Sequence, residues 1–174
     1  AAGCASVYLA RRSPGARAWT PPASILLPLD GRPEHEAALA QAVTLAKALG
    51  LPLALLAVVP RRPTDSLGKE GALARFSPAM NRASLEYAAE RSGDYLAGIA
   101  SRLKAEGVEV SWSVERGRPA RRILRAAAAA GALVVLSTHR RLGFDAALDG
   151  CVAFSVATGY AGDSLIAPVP RCKD

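Results

Sequence analysis

"SILLPLDGRPEHEAALAQAVTLAKALG" (residues 24–50) contains the alternation that decides the fold, a short apolar run followed by an amphipathic helix. The run 24–30 is mostly apolar and ends at Asp30, as expected of a strand buried on both faces. Pro33 suits a first helical turn, and Gly50 is a typical helix stop. Four apolar residues then repeat at the spacing of one helix face: Leu39, Ala42, Val43 and Ala46. The stretch therefore predicts a strand followed directly by a helix.

The same alternation continues along the chain. Further strands are predicted at 51–60, 108–115, 132–137 and 163–169. Further helices are predicted at about 81–106, 118–131 and 150–158, and a long loop at 61–80. Repeated strand–helix units form a parallel sheet covered by helices on both faces. Ligands of such sheets bind beyond the carboxyl ends of the strands, where the strand order reverses.

Composition narrows the class of protein. The chain has 174 residues, of which 51% are hydrophobic and 5% aromatic, a balance that favours a helix-rich or α/β domain. No apolar run reaches the roughly 20 residues that span a bilayer, so a membrane is not expected as a partner. The cysteines, Cys4, Cys151 and Cys172, form no C-x-x-C pair, and with His35 and His139 they predict no metal site. Reduced thiols favour a cytoplasmic location.

The net charge of +7 is partly concentrated in an arginine cluster. This cluster has two interpretations, a patch that binds phosphates and a solvated helix face. No aromatic residues interleave with the arginines, as a binder of single-stranded nucleic acid would require, so nucleic acid is not expected as a partner. The cluster consists of Arg116, Arg118, Arg121, Arg122 and Arg125.

Four segments together resemble the universal stress protein family in order and spacing. They are "ILLPLDGRPEHEAAL" (25–39), "LALLAVVP" (53–60), "GRPARRIL" (117–124) and "LVVLSTHRRLGF…LDGCV" (133–152). The resemblance implies a five-stranded α/β fold of the adenine-nucleotide α-hydrolase-like type, with strand order 3-2-1-4-5 and helices on both faces. It also implies homodimers through the C-terminal strand. Many members bind ATP or AMP without being strong catalysts.

In the nucleotide-binding members of the family, the loop after the fourth strand has the pattern G-x2-G-x9-G-[ST]. The resemblance places this pattern on Ser137, Arg140, Gly150 and Cys151, and only Gly150 keeps the expected residue type. Within the loop, His139 is either a phosphate partner or a surface residue.

Two further positions of the family's nucleotide site match this chain. Asp30 corresponds to the aspartate that contacts the ribose and adenine side, and Val58 corresponds to the valine that lines the adenine. A carboxylate at this place can equally cap the following helix.

The altered loop allows two functions. Arginine forms charge-assisted bonds to phosphate, so Arg140 and Arg141 can replace part of a backbone cradle. The chain is then a stress-response regulatory or sensor protein that binds ATP or AMP. Alternatively the loop is a remnant without a cofactor, and the chain is a protein-interaction module that acts through its dimer surface. No catalytic residue is predicted, since the sequence has no nucleophile elbow, P-loop or metal-ligand spacing.

The front of the chain has a different character. Residues 1–23 are predicted to be an extension and linker, and 24–171 the universal-stress-type domain. "AAGCASVYLARR" (1–12) resembles the chain's own "YAGDSLIAPVPR" (160–171). We hypothesise that 1–12 is the last strand of a preceding repeat and pairs with the edge strand 164–169, on the same chain or a partner. The alternative is an extension that rests on the surface.

Overall fold

The computed structural model describes residues 6–10, 20–32, 36–59, 61, 78–138 and 152–168. Within these ranges the chain forms six strands and four helices in alternation. The strands are β1 (Val7–Leu9), β2 (Ser24–Pro28), β3 (Leu53–Val59), β4 (Val110–Arg116), β5 (Ala132–Thr138) and β6 (Ser164–Pro168). The helices are α1 (Ala37–Leu49), α2 (Pro78–Ala105), α3 (Pro119–Ala130) and α4 (Val152–Gly159).

The sheet has the order β1-β6-β5-β2-β3-β4. Strands β2 to β6 are parallel, and their order is the predicted 3-2-1-4-5. The prediction of five strands is wrong by one, because β1 adds a sixth strand. It runs antiparallel to β6, with Val7 opposite Ile166 and Leu9 opposite Ser164. The expected pairing between the front of the chain and the edge strand 164–169 therefore occurs within one chain.

The helix boundaries differ slightly from those predicted. Helix α1 begins at Ala37 with Glu36 as its N-cap residue. Pro33, which was expected in its first turn, lies outside the described residues. It ends as predicted at Gly50, whose φ of 63° is a conformation that glycine adopts without strain. Helix α2 begins at Pro78, where proline suits a first turn because the lost N–H needs no partner. None of the helices in the described ranges is long and apolar enough to cross a membrane.

The core lies on both sides of the sheet, and adjacent residues of one strand supply the two sides. On β3, Leu55 packs on the side of α1 and α2, which we call the α1/α2 face. Leu56, its neighbour, packs on the side of α3 and α4, the α3/α4 face. This alternation follows from the period of two along a strand. It explains why the strand segments are apolar throughout, since both of their faces are covered by helices.

Candidate functional site

The carboxyl ends of three neighbouring strands meet where the strand order reverses. Strand β2 lies between β3 and β5, with Pro28 opposite Leu56 and Leu26 opposite Val134. Asp30 follows the end of β2, so this register brings it beside the carboxyl ends of β3 and β5. A sheet of this type binds ligands at such a point.

Asp30 is held in a local turn. One carboxylate oxygen, Oδ1, accepts a hydrogen bond from the backbone N–H of Arg32 at 3.2 Å. The other, Oδ2, lies 3.6 Å from Nε of Arg32. The side chain of Asp30 is 48% exposed, so a ligand can reach it. It is not the N-cap residue of α1, a position that Glu36 occupies.

A tyrosine that the sequence reasoning missed stands beside this turn. The hydroxyl of Tyr95, on α2, donates a hydrogen bond to Oε1 of Glu36 at 2.9 Å. Burial, that hydrogen bond and the negative charges of Glu36 and Asp30 raise the pKa of Tyr95 well above its ordinary value of 10.0. Tyr95 therefore keeps its proton and donates a hydrogen bond, whereas Asp30 and Glu36 offer carboxylate oxygens that accept hydrogen bonds. The sequence did contain a signal for it: Tyr95 lies one helical turn before Ile99, which is buried, and its aromatic ring carries a hydroxyl that needs a hydrogen-bond partner.

The other two described candidates lie on the neighbouring strands. Val58 is on β3, partly buried against the α3/α4 face, and pairs with Glu115 of β4. Ser137 is near the end of β5, is half-buried, and pairs with Ala167 of β6. Asp30, Val58 and Ser137 thus share one end of the sheet, as the sequence predicted. A carboxylate, a hydroxyl and an apolar side chain together suit a polar ligand with an apolar part.

The remaining candidates, His139, Arg140, Gly150 and Cys151, lie outside the described residues. The elements on either side of them are described. Strand β5 ends at Thr138, and α4 begins at Val152.

The arginine cluster is arranged differently from a solvated helix face. Arg121 and Arg125 are exposed on α3, as that interpretation expects. Arg122 departs from it, because its guanidinium turns back to the carboxylate of Glu115 at 3.2 Å and is only 25% exposed. Arg61 and Arg116 lie near the same place, which the sequence reasoning did not foresee.

Fold and site together define a doubly wound α/β protein with a candidate ligand site at the switch point of its sheet. A model of the universal stress protein family matches residues 23–161, so the chain belongs to that family. The recognition made from the sequence is confirmed. A comparison with curated proteins gives no match.

Solved universal stress proteins have the same fold. One from Archaeoglobus fulgidus DSM 4304 is 16% identical with a TM-score of 0.63. The match covers 98% of this chain and 52% of that protein, so the chain spans about half of its length. A member from Burkholderia pseudomallei is 23% identical (TM-score 0.60; 86% of this chain, 97% of that one). A third, a universal stress protein in complex with cAMP, is 18% identical (TM-score 0.61; 87% and 100%).

Proposed function

We propose that this chain is a stress-response regulatory or sensor protein that binds an adenine nucleotide, ATP or AMP, at the carboxyl ends of β2, β3 and β5. The observation that carries the proposal is the position of Asp30, an accessible carboxylate where the strand order reverses. A family member of the same fold has been solved in complex with cAMP, which supports an adenine nucleotide as the ligand class.

The charges around Asp30 favour one orientation of the nucleotide. Asp30 and Glu36 are acceptors, which suit ribose hydroxyls and repel phosphates. The ribose therefore belongs at Asp30 and the adenine beside Val58. The phosphates extend past Ser137 towards 139–151, where His139, Arg140, Gly150 and Cys151 are the proposed partners. In binding, the ribose has to share the Asp30 carboxylate with Arg32, whose side chain is exposed and free to move aside.

Recognition rather than catalysis is the proposed mode of action, in the cytoplasm. Titration calorimetry with ATP, ADP and AMP tests it, together with the variants Asp30→Ala and Arg140→Ala. We expect micromolar binding that both variants abolish. Asp94→Ala is the matched control, because Asp94 is an exposed aspartate on α2. Nucleotide binding that survives Asp30→Ala would contradict the proposal, and so would a folded chain that gives no heat with any of the three.

The alternative is a protein-interaction module without a nucleotide, acting through the surface that forms the proposed homodimer. It is favoured by β1, whose Val7 and Tyr8 are about half exposed at the edge of the sheet. Failure of nucleotide binding, with an intact oligomer, would favour this function.

The homodimer is proposed to form at the edge of the C-terminal strand. Because β1 already covers that edge, the proposed contact between two copies has to include β1. We propose that β1 takes the place of a strand from a preceding repeat or a partner. A side-chain hydrogen bond stabilises the pairing of β1 with β6. The hydroxyl of Tyr8 donates to Oδ2 of the buried Asp163 at 2.6 Å. Deletion of 1–20 would expose the β6 edge, and light scattering after size exclusion should then show a shift in oligomeric state. An unchanged state would contradict the role proposed for β1.

A further inference from the structure

A basic cleft lies beyond the proposed nucleotide site, between β4 and α3. Its volume is about 440 Å³, within the range of small-molecule pockets. Strand β3 leads to it through Arg61, β4 supplies Glu115 and Arg116 at its carboxyl end, and α3 forms the opposite wall. The wall residues on α3 are Arg122, Arg125, Ala126 and Ala129.

The charges of the cleft are not balanced. Among the described residues of the lining, four arginines face one glutamate, a formal charge of +3 in a small volume. Arg122 is paired with Glu115 at 3.2 Å. In the described part of the chain, Arg61, Arg116 and Arg125 have no carboxylate within ion-pair distance. Like charges held together destabilise a fold by their repulsion, so an anion bound among them would stabilise the protein.

A glycine fixes the position of the central arginine. Gly117 has a φ of 148°, which side chains rarely allow, and a Cβ added there would lie 2.9 Å from Nε of Arg122. The backbone N–H of Gly117 donates to the carbonyl of Val59 at 2.9 Å, which ties the end of β4 to β3. Arg122 can therefore lie across Gly117 and reach Glu115. This part of the cleft is formed before any ligand arrives.

We propose that this cleft binds a compact, phosphate-rich anion with about three negative charges, a second ligand site separate from Asp30. Guanidinium groups form short charge-assisted bonds to phosphate oxygens, and several arginines can hold adjacent phosphates of one molecule. A small anion fits better than a polynucleotide, since the lining residues that the structure describes include no aromatic side chain for bases to stack on.

The site does not depend on the proposed function, although the two sites are adjacent. Glu115, in the cleft, pairs with Val58, which belongs to the nucleotide site. ATP carries three phosphates, so it is an ambiguous probe of either site. Adenosine reports on the site at Asp30 alone. Tripolyphosphate has no ribose or adenine, and its binding is assigned to the cleft where Arg116→Gln or Arg125→Gln weakens it and Arg140→Ala does not.

Titration calorimetry of the full chain with tripolyphosphate is the test. We expect one bound anion per chain and a dissociation constant that rises with salt, because phosphate contacts are ionic. Arg116→Gln and Arg125→Gln should each weaken binding about tenfold, as expected for loss of a charge-assisted hydrogen bond. Arg121→Gln is the matched control, since Arg121 is an exposed arginine on α3 that does not line the cleft. It removes the same charge and should weaken binding about twofold or less.

Three further variants separate this site from the other. Glu115→Gln removes the one carboxylate among the described lining residues and should tighten tripolyphosphate binding, while Asp30→Ala and Arg140→Ala should leave it unchanged. Equal losses in Arg121→Gln and Arg125→Gln would overturn the proposal, because they would show general attraction to a basic surface. The absence of tripolyphosphate binding would also overturn it, as would binding seen only with a single-stranded polynucleotide.

Discussion

The two faces of the sheet are covered to different extents. On the α1/α2 face lie helices of 13 and 28 residues, whereas α3 and α4, on the other face, have 12 and 8. Strand β4 shows the consequence. Its Val110 and Val114 pack on the α1/α2 face, but Ser111 and Ser113, which point the other way, are exposed. The basic cleft lies at the end of this exposed side of β4. The well-covered face therefore supplies stability, and the incompletely covered face leaves room for ligands.

The largest expected effect separates the two faces within a single strand. Leu55 and Leu56 are each 1% exposed and pack on opposite faces. Leu55→Ala and Leu56→Ala should each lower the free energy of unfolding by about 2–5 kcal/mol. Leu55→Ala should be the costlier, because a face held by the long α2 closes less readily around a cavity than one held by two short helices. Urea unfolding of both variants measures the difference.

A control for this pair is Leu49→Ala, since Leu49 is exposed at the end of α1. It should change stability by about 0.5 kcal/mol or less. If Leu56→Ala proved as costly as Leu55→Ala or costlier, the two faces would be equally rigid, and the comparison between them would fail.

The second effect concerns the hydrogen bonds of a buried tyrosine beneath α3 and α4. The buried hydroxyl of Tyr160 donates to the carbonyl of Ala132 at 2.6 Å and lies 3.1 Å from that of Ala127. It thereby joins the end of α3 to the start of β5. Tyr160→Phe removes this donor from both carbonyls, of which that of Ala127 still accepts the backbone N–H of Gly131. The change should cost about 1–3 kcal/mol in unfolding free energy. Tyr87→Phe, at an exposed tyrosine of α2, is the matched control and should cost almost nothing. If Tyr160→Phe left the free energy of unfolding unchanged, the hydrogen bonds of Tyr160 would contribute nothing to stability.

The buried Tyr160 and the partly buried Tyr95 predict a loss of stability in alkali. Burial raises the pKa of Tyr160 above its ordinary value of 10.0, and burial together with Glu36 raises that of Tyr95. Between the unfolded and folded pKa values the folded state binds more protons, so the free energy of unfolding falls as pH rises above 10. Tyr160→Phe should make this fall shallower than in the parent chain. Denaturant unfolding at several pH values up to 11 measures it, and an unchanged slope would contradict the assignment.

The sequence predicted the parallel sheet well because its signals are local. Each strand is a short apolar run, and each of Gly50 and Gly131 ends a helix in a left-handed conformation. The start of α2 was predicted less well. It was expected at about residue 81, yet the helix begins at Pro78, because few local signals fix the first residue of a helix.

The candidate site was predicted only in part, for a physical reason. The places of Asp30 and Val58 at the carboxyl ends of strands were predicted, because the end of a strand can be read along the chain. The cleft was not foreseen, because its members come from three segments that only the strand order brings together. The arginines of α3 therefore indicated a solvated face, and nothing local linked Arg61 or Glu115 to Arg122.

A smaller effect tests the turn that positions Arg122. Gly117→Ala should cost about 1–2 kcal/mol of backbone strain, because side chains rarely allow a φ of 148°. The contact with the added Cβ adds little, since the nearest atom belongs to the flexible side chain of Arg122. The displaced guanidinium should lose Glu115. Gly98→Ala is the control, since a Cβ there meets nothing within 4 Å on α2. That variant should be neutral or slightly stabilising, as alanine favours a helix. An equally neutral Gly117→Ala would show that Arg122 needs no such clearance.

The smallest expected effect compares one ion pair from each side of the molecule. Lys47 of α1 meets Glu106, just past α2, at 3.2 Å, and both side chains are nearly half exposed. Arg122 meets Glu115 at the same distance with exposures of 25% and 34%. Less water around the second pair means weaker screening, so double-mutant cycles should give a coupling of about 0.5–1 kcal/mol there and about 0.2–0.5 kcal/mol for Lys47–Glu106. The difference should persist in 0.5 M salt, which screens exposed pairs most. If the two couplings were equal and both disappeared in salt, the cleft would be as exposed to water as the open surface. Its arginines would then bind an anion no more tightly than isolated arginines do.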